Sequence, residues 1–545
     1  MPHWDTQTLA QALARQARER PQQEALIIDG RRLTYSELQG EVGRYAAGLA
    51  ALGVKRGDHI AVCMGNSVEW VAFFYAAARL GAVTVPVNTR FKADEFEYCL
   101  KQADVKLLFT ADRFLKIDFI GMLRGFLPAL DGTLPDASLP LLKTVVVLGE
   151  HVPAGAVSLA DMLARGEAQG PVGDQARPDD VLLMQFTSGT TSFPKGVMLT
   201  HDNMLRNGAY IAERFDCQPG DRYFSGRPFY HVAGTTLSLL AALATGACLL
   251  STPTFEPGSA LQIMAEERCT LTSGNDTMFL MMLGHPDFGK KPLHLRGGWA
   301  STSPEVTQQM VEKMGMRGVC QAYGLSEASP NVCMSWHSDD LDKRINGWAH
   351  ILQDVEVKLV DPESGNTQPP GTTGEIWIRG WSVMKGYYKM PEQTAKTITA
   401  DGWLKSGDLG AMDADGRLRF ITRIKDVFRV GGENVAPAEV EDALHKHPAV
   451  KQAQVIGVPD ARMGEVPAAY LILREGAQVT PEEMIAWGKA SMANFRAPRY
   501  VKIVDSFEAI GMTGSAKVQK NKLREAAIRE FGLEQLNVKP GIRAA

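Results

Sequence analysis

Phe186-Thr-Ser-Gly-Thr-Thr-Ser-Phe-Pro-Lys-Gly196 is the stretch around which this chain is organised. Before it runs Val181-Leu-Leu-Met-Gln-Phe186, a short apolar segment of the kind that forms a buried strand. After it, Val197-Met-Leu-Thr-His opens a new periodic segment, with Asp202 or Asn203 as the expected helix cap. Between them lie glycines, hydroxyl residues, one proline and one lysine. That composition suits a phosphate. Glycine lets backbone N–H groups approach an anion, hydroxyls donate hydrogen bonds, and lysine adds a mobile positive charge. The spacing is not that of a Walker A loop, which needs Gly-x4-Gly-Lys-Ser/Thr. Here five residues separate Gly189 from Lys195, and Gly196 follows the lysine. A phosphate loop of another design is implied; the bland alternative is a polar turn between strand and helix.

A chain of 545 residues exceeds one ordinary core and predicts two or more domains. Hydrophobic content of 45% and charged content of 22% are those of a soluble globular protein, and a net charge of −4 offers no basic stripe to nucleic acid. Cys63, Cys99, Cys217, Cys248, Cys269, Cys320 and Cys333 are scattered without a Cys-x-x-Cys pair. This argues against a zinc site and a disulfide framework, and suits a reducing compartment. The N-terminus has no apolar signal region. The longest apolar run, Leu237 to Leu250, is broken by Thr245 and Gly246 and is too short to span a bilayer; a buried helix feeding a strand is expected. A cytoplasmic enzyme follows.

Thr34-Tyr-Ser-Glu37 is a capping box opening a helix that ends near Gly53. His59–Met64 and Val83–Val87 are strand-like, and Asn66 or Ser67 caps the apolar helix between them. This is a βαβ unit with a parallel strand pair, and Val105–Phe109 and Thr144–Leu148 repeat the theme. Residues 149–178, rich in Gly, Ala, Pro and Asp, read as a surface connection. The fold class is α/β: a large N-terminal domain of several subdomains, with mainly parallel sheets and helices. A small α+β domain follows, with helix 437–446, strands 452–458 and 468–473, helix 481–493 and strand 500–504.

Further motifs follow the phosphate stretch in order. They are Arg227-Pro-Phe-Tyr-His-Val-Ala-Gly234, Leu271-Thr-Ser-Gly-Asn-Asp-Thr-Met-Phe279, Arg296-Gly-Gly-Trp-Ala-Ser-Thr-Ser303 and Gln321-Ala-Tyr-Gly-Leu-Ser-Glu327. Then come Gly402-Trp-Leu-Lys-Ser-Gly-Asp-Leu-Gly410, Arg417 to Asp426, Gly431-Gly-Glu-Asn-Val-Ala-Pro437 and Thr513-Gly-Ser-Ala-Lys-Val-Gln-Lys520. Together, and in this order, they resemble the adenylate-forming superfamily of acyl-CoA synthetases, peptide-synthetase adenylation domains and firefly-type luciferases. The resemblance spans nearly the whole chain. Ser192 and Ala516 stand where the family commonly has glycine.

The resemblance implies a role for each motif. Thr187, Ser188, Gly189, Thr190, Thr191 and Lys195 would hold the β- and γ-phosphates of ATP. Tyr323 would stack on adenine, Gly324 let backbone approach the nucleotide, Ser326 bond the α-phosphate, and Glu327 bind Mg2+ as a hard oxygen ligand. Asp408 would accept both ribose hydroxyls, having acceptor oxygens and no donor. Arg423 would contact the nucleotide, Lys425 serve as the hinge, and Lys517 act as the catalytic lysine. His231, Val232, Ala233 and Gly234 would border the acyl pocket. Gly431, Gly432 and Glu433 would form the loop of the thioester step. The domains implied are 1–422, a hinge at 423–426, and a mobile lid at 427–545. Asn275 and Asp276 either form a polar turn or read a polar group on the substrate. Trp299 either closes the pocket or packs in the core.

The activity implied is acid plus ATP plus CoA giving acyl-CoA, AMP and pyrophosphate through an acyl-adenylate. Alternatives are a stand-alone enzyme loading a carrier protein, a luciferase-like oxygenase, and a nucleotide sensor without catalysis. Lys517, Asp408 and Glu327 are all present, which speaks against the sensor. No arginine or lysine stands out to receive a second carboxylate, so a medium-chain, alicyclic or aromatic monocarboxylic acid is expected. A homodimer is common among relatives.

Overall fold

The computed structural model describes residues 6–187, 194–512 and 518–536. The chain divides into two compact units, Met1–Val357 with Trp377–Lys405, and Lys358–Ile376 with Ser406–Ala545. The charged link at 423–426 lies inside the second unit. There the strand Arg417–Arg423 is paired antiparallel to residues 408–412, which ties it to the chain on either side.

The first unit holds two sheets. One has seven strands in the order Lys195–Thr200, Val181–Thr187, Val83–Pro86, His59–Cys63, Leu107–Ala111, Thr144–Leu148 and Val157–Ser158. All neighbours are parallel except the first pair. The apolar helix Val68–Arg79 buries Trp70, Phe73, Phe74 and Tyr75 completely or nearly so, which explains its lack of a polar face. Ser67 caps it, accepting from Trp70 N at 3.0 Å. The capping box at Thr34 is present, and its helix runs Tyr35–Ala51.

Two expectations change. The residues after the phosphate stretch form a strand, Lys195–Thr200, before helix His201–Arg214 begins, so that Thr187 pairs with Lys195. Thr200 is the cap; Asn203 returns the hydrogen bond from the third helical position, which completes a capping box. The expected surface connection at 149–178 contains an amphipathic helix, Leu159–Gln169, capped by Ser158. It lies on helix Tyr35–Ala51 with Gly166 against Gly48, so glycines that look like loop punctuation are helix-contact residues.

The second sheet of this unit runs Ala349–Ile351, Asn331–Met334, Gly318–Gly324, Gly297–Ser301, Leu271–Asn275, Arg222–Ser225, Cys248–Ser251, Glu24–Ile28 and Arg31–Thr34. The six strands from Gly318–Gly324 to Glu24–Ile28 are parallel. Parallel strands deliver their following loops to one edge, where ligands of open α/β sheets bind. That edge collects Arg227, His231, Asn275, Asp276, Ser303, Ser326 and Glu327. The run from Leu237 becomes a π-helical turn, Thr235–Leu240, a helix Ala241–Thr245 and the strand Cys248–Ser251.

The second unit is α+β, as expected. Its sheet orders Glu433–Val435, Phe428–Val430, Gly464–Leu473 and Val450–Asp460, with Tyr500–Ile503 beside Gly464–Leu473. Helices Pro437–His445 and Lys520–Glu530 pack Val440, Leu444, Leu523 and Ala527 with strand residues Val455 and Tyr470. All seven cysteines are buried and unpaired, and burial pushes the Cys217 and Cys320 thiols up to about 12. Among the described residues no helix is long and apolar enough to cross a membrane.

Candidate active site

The strand leaving the phosphate stretch is flanked by a distant piece of chain. Lys385 N donates to Met198 O at 3.0 Å, Met198 N to Gly386 O at 3.1 Å, and Tyr388 N to Gly196 O at 2.9 Å. Met384 N continues the contact to Glu327 O at 2.9 Å. This pairing puts Tyr387 between two residues that the motifs single out. Its phenol donates to Glu327 Oε1 at 2.8 Å, and Lys195 Nζ stands 4.5 Å from its ring centre. Tyr387 is 5% exposed, and burial followed by the Glu327 carboxylate holds its phenol well above the usual range. It therefore remains a hydrogen-bond donor throughout the physiological range. Tyr387 escaped the motif reading because its role arises from pairing across nearly two hundred residues of sequence.

Tyr323 is almost completely buried at the end of Gly318–Gly324, and Ser326 and Glu327 share the single 3-10 turn that follows. Gly324 has a reason of its own: a Cβ there would stand 1.9 Å from the Pro330 carbonyl oxygen. Ser188, Gly189, Thr190, Thr191 and Ser192 lie outside the described residues; Thr187 and Lys195 bracket them.

His231 begins a short helical turn, Val232–Gly234, and its Nδ1 accepts from Ala233 N at 3.1 Å. A neutral ring with Nδ1 as acceptor carries its proton on Nε2. Val232, Ala233 and Gly234 are buried, and a Cβ at Gly234 would meet the Pro228 carbonyl oxygen at 2.2 Å. The smallness of Gly234 thus serves the turn. The segment is clamped by a residue outside every motif. Asn66, 3% exposed, accepts from Phe229 N at 2.7 Å and donates to Arg227 O at 2.9 Å and Ser251 Oγ at 3.0 Å.

Asn275 caps helix Asp276–Leu283 through Met278 N at 3.0 Å, and Asp276 accepts from Ser303 N at 2.9 Å and Ser303 Oγ at 3.1 Å. Both carry fold-building hydrogen bonds. Trp299 is 3% exposed, and its Nε1 donates to Tyr223 Oη at 2.8 Å and Leu237 O at 3.2 Å. The Arg227 guanidinium covers its face, Cζ 4.3 Å from the ring centre.

In the second unit Asp408 lies in a strand, Leu404–Met412, and pairs with Arg423 across the ladder. Asp408 Oδ1 is 3.6 Å from Arg423 Nε; the carboxylate is buried and the arginine half-exposed. Lys425 sits in the 3-10 turn Ile424–Asp426, and burial, then Arg423, holds its ammonium below the usual lysine value. Gly431 and Gly432, with φ of 59° and 97°, form the two-residue turn between Phe428–Val430 and Glu433–Val435. Positive φ at both central residues is the hairpin geometry that glycine adopts without strain. Glu433 is exposed. Ala516 and Lys517 lie outside the described residues.

Comparison with known proteins gives the family. Residues 13–388 match the family described as AMP-binding enzyme, and residues 439–517 its C-terminal domain. The Bacillus subtilis protein YngI is 38% identical over 96% of this chain and 98% of its own length. The medium-chain acyl-CoA ligase ACSF2 of Bos taurus is 34% identical over 97% of this chain and 89% of its own. The anthranilate CoA ligase AuaEII, solved with anthranoyl-AMP, superposes with a TM-score of 0.86 at 25% identity, covering 97% of this chain and 98% of that one. The chain belongs to the AMP-binding, adenylate-forming enzymes. Within that class it is an AMP-forming acid–thiol ligase, an acyl-CoA synthetase whose substrates include ATP and CoA; Mg2+ is typical for the family.

Proposed function

We propose that the chain activates a medium-chain, alicyclic or aromatic acid and passes the acyl group to free CoA. A carboxylate resists a thiol because its oxygen is a poor leaving group. Attack of the acid on the α-phosphorus of ATP makes an acyl-adenylate and expels pyrophosphate. Attack of the CoA thiol on the acyl carbonyl then expels AMP, a far weaker base, and forms the thioester. Charge accumulates on phosphate oxygens in the first step, so fixed cations and donors aimed there supply most of the acceleration.

The observation that carries this reading is the meeting of Lys195 and Glu327 on Tyr387. It joins the phosphate-loop cation to a carboxylate whose orientation is fixed by a phenol. Such a carboxylate is a hard oxygen donor fit for Mg2+, which would neutralise phosphate charge when bound. In our assignment, Lys195 with the stretch from Thr187 holds the outer phosphates, Ser326 and Lys517 the α-phosphate, Tyr323 the adenine and Asp408 the ribose, while Arg423 contacts the nucleotide. His231 to Gly234 border the acyl site. Lys517 serves the first half-reaction, the Gly431-Gly432-Glu433 turn the second, and Lys425 is the hinge within a boundary at 423–426.

Two relatives support the acid class by their names: a medium-chain ligase and an aryl ligase. Arg227, whose buried Nε and Nη2 make no hydrogen bond, bears on whether that acid carries one carboxylate or two. A cytoplasmic location and a homodimer complete the proposal. Pyrophosphate release across a panel of acids, followed by supply of CoA or holo-carrier protein to the preformed adenylate, tests it. Thioester formation with CoA is the expected result; transfer only to carrier protein would favour the loading enzyme. Absence of an ATP-dependent product trapped by hydroxylamine would remove the ligase reading altogether.

A further inference from the structure

Arg227 leaves the carboxyl end of strand Arg222–Ser225, four residues before His231, and only 9% of its surface is accessible. Its Nε and Nη2 are fully buried and make no hydrogen bond. Among the described residues no carboxylate pairs with it; Trp299 lies against one face of its guanidinium. The polar atoms around it are already engaged. The Tyr223 hydroxyl accepts from Trp299 and donates toward Ser273 Oγ at 2.9 Å, and the Ser225 and Ser238 hydroxyls bond each other at 2.9 Å. Burial lowers the guanidinium to about 10, which leaves it charged at neutral pH. A buried, unpaired cation is among the costliest features a fold can carry, and folds keep one where a ligand completes it.

The two empty donors are not an arbitrary pair. Nε and Nη2 form the edge of the guanidinium that presents parallel N–H groups to the two oxygens of a carboxylate. This chain uses that edge elsewhere. Arg124 holds Asp131 through Nε and Nη2 at 2.7 and 2.8 Å, and Arg379 holds Glu356 at 2.9 and 2.7 Å. In Arg227 the same fork contains no acid. It stands at the ligand-binding edge of the sheet, among the residues assigned to the acyl site. We propose that Arg227 receives a second carboxylate at the far end of the acid substrate, so that the enzyme prefers dicarboxylic to plain acids of the same skeleton. The inference rests on the ligase reading and narrows it.

The test compares matched acids: hexanedioate, octanedioate and decanedioate against hexanoate, octanoate and decanoate, and phthalate against benzoate. Pyrophosphate release is read for the wild type and for Arg227→Met and Arg227→Lys. The wild type should favour one diacid over its partner by at least about 100-fold in kcat/KM; a site built for a polar group rejects an analogue lacking it by about 10⁴- to 10⁵-fold. Arg227→Met should lose at least about tenfold of that preference, mostly through KM for the diacid. Arg227→Lys, which keeps the charge without the fork, should recover part of it. Arg227→Met should also melt no lower than the wild type, and the preferred diacid alone should raise the melting temperature of the wild type only. A wild type indifferent to the second carboxylate would overturn the proposal. So would equal losses on both acids, or a melting temperature lowered together with them. Absence of pyrophosphate with every acid would instead count against the ligase reading.

Discussion

Tyr387 and Glu327 are joined by a 2.8 Å hydrogen bond, and the same tyrosine carries Lys195 on its ring. One side chain thus sets the position of the two charges assigned above to phosphate and Mg2+. Tyr387→Phe keeps the ring and removes only the donor. The expected outcome is a loss of about 10- to 100-fold in adenylate formation, the range found when a partner of a metal ligand is removed. The Mg2+ concentration for half-maximal rate should rise as well. Titrating Mg2+ in a pyrophosphate-release assay checks this; an unchanged Mg2+ requirement would show that Glu327 does not need the phenol.

Asn66 predicts a different kind of failure. It satisfies the backbone on both sides of Pro228 and is buried. Asn66→Ala leaves a buried N–H and C=O unsatisfied, so stability should fall by about 1–3 kcal/mol. The His231 turn should also lose its anchor, raising KM for the acid more than KM for ATP. Urea unfolding and steady-state kinetics on the same variant separate the two effects.

His201 predicts an acid-sensitive fold. The ring is fully buried, its Nδ1 accepts from Leu9 N at 3.1 Å, and burial lowers its pKa from 6.5 to about 4. The folded state binds this proton less readily than the unfolded state. Its contribution is therefore complete above pH 6.5 and is lost as pH falls toward 4, for a total of about 3 kcal/mol. His59, also lowered by burial, adds a slope of the same sign. His201→Asn keeps an acceptor for Leu9 and should flatten the fall in urea midpoint between these pH values. A variant with the full wild-type slope would place the acid sensitivity elsewhere.

The two half-reactions should separate genetically. Lys517→Ala is expected to block adenylate formation and to spare thioester formation from a supplied acyl-adenylate. Lys425→Pro is expected to do the reverse, because a fixed φ stiffens the hinge that the second step requires. Single-turnover assays of each step decide the matter; equal damage to both steps in both variants would remove the division of labour.

What was legible on sequence was whatever depends on near neighbours. Thr34 with Glu37 and Thr480 with Glu483 are capping boxes, and both helices start where those residues stand. The small C-terminal unit follows its hydrophobic runs to within a few residues. What failed was contact at long range. Helix Leu159–Gln169 was hidden because Gly166 serves its packing against Gly48 instead of ending it. Of the two candidate caps Ser67 is the one used, and nothing local shows that Asn66 clamps a segment far along the chain. Arg227 was quoted as part of the His231 motif, yet nothing local reveals that its guanidinium is buried on Trp299 without an acid.

The ribbon from Met384 to Tyr388 beside Lys195–Thr200 has a consequence for reading related chains. The contact hangs on one bridge, Val197 with Tyr387, held by the backbone bonds on either side. One residue inserted between Trp381 and Tyr387 would turn the phenol away, while every familiar signature stayed intact to the letter. Such a chain would look competent in any roll of motifs and yet lack the splint between its lysine and its glutamate. Competence here is a matter of spacing across a gap that no short pattern spans.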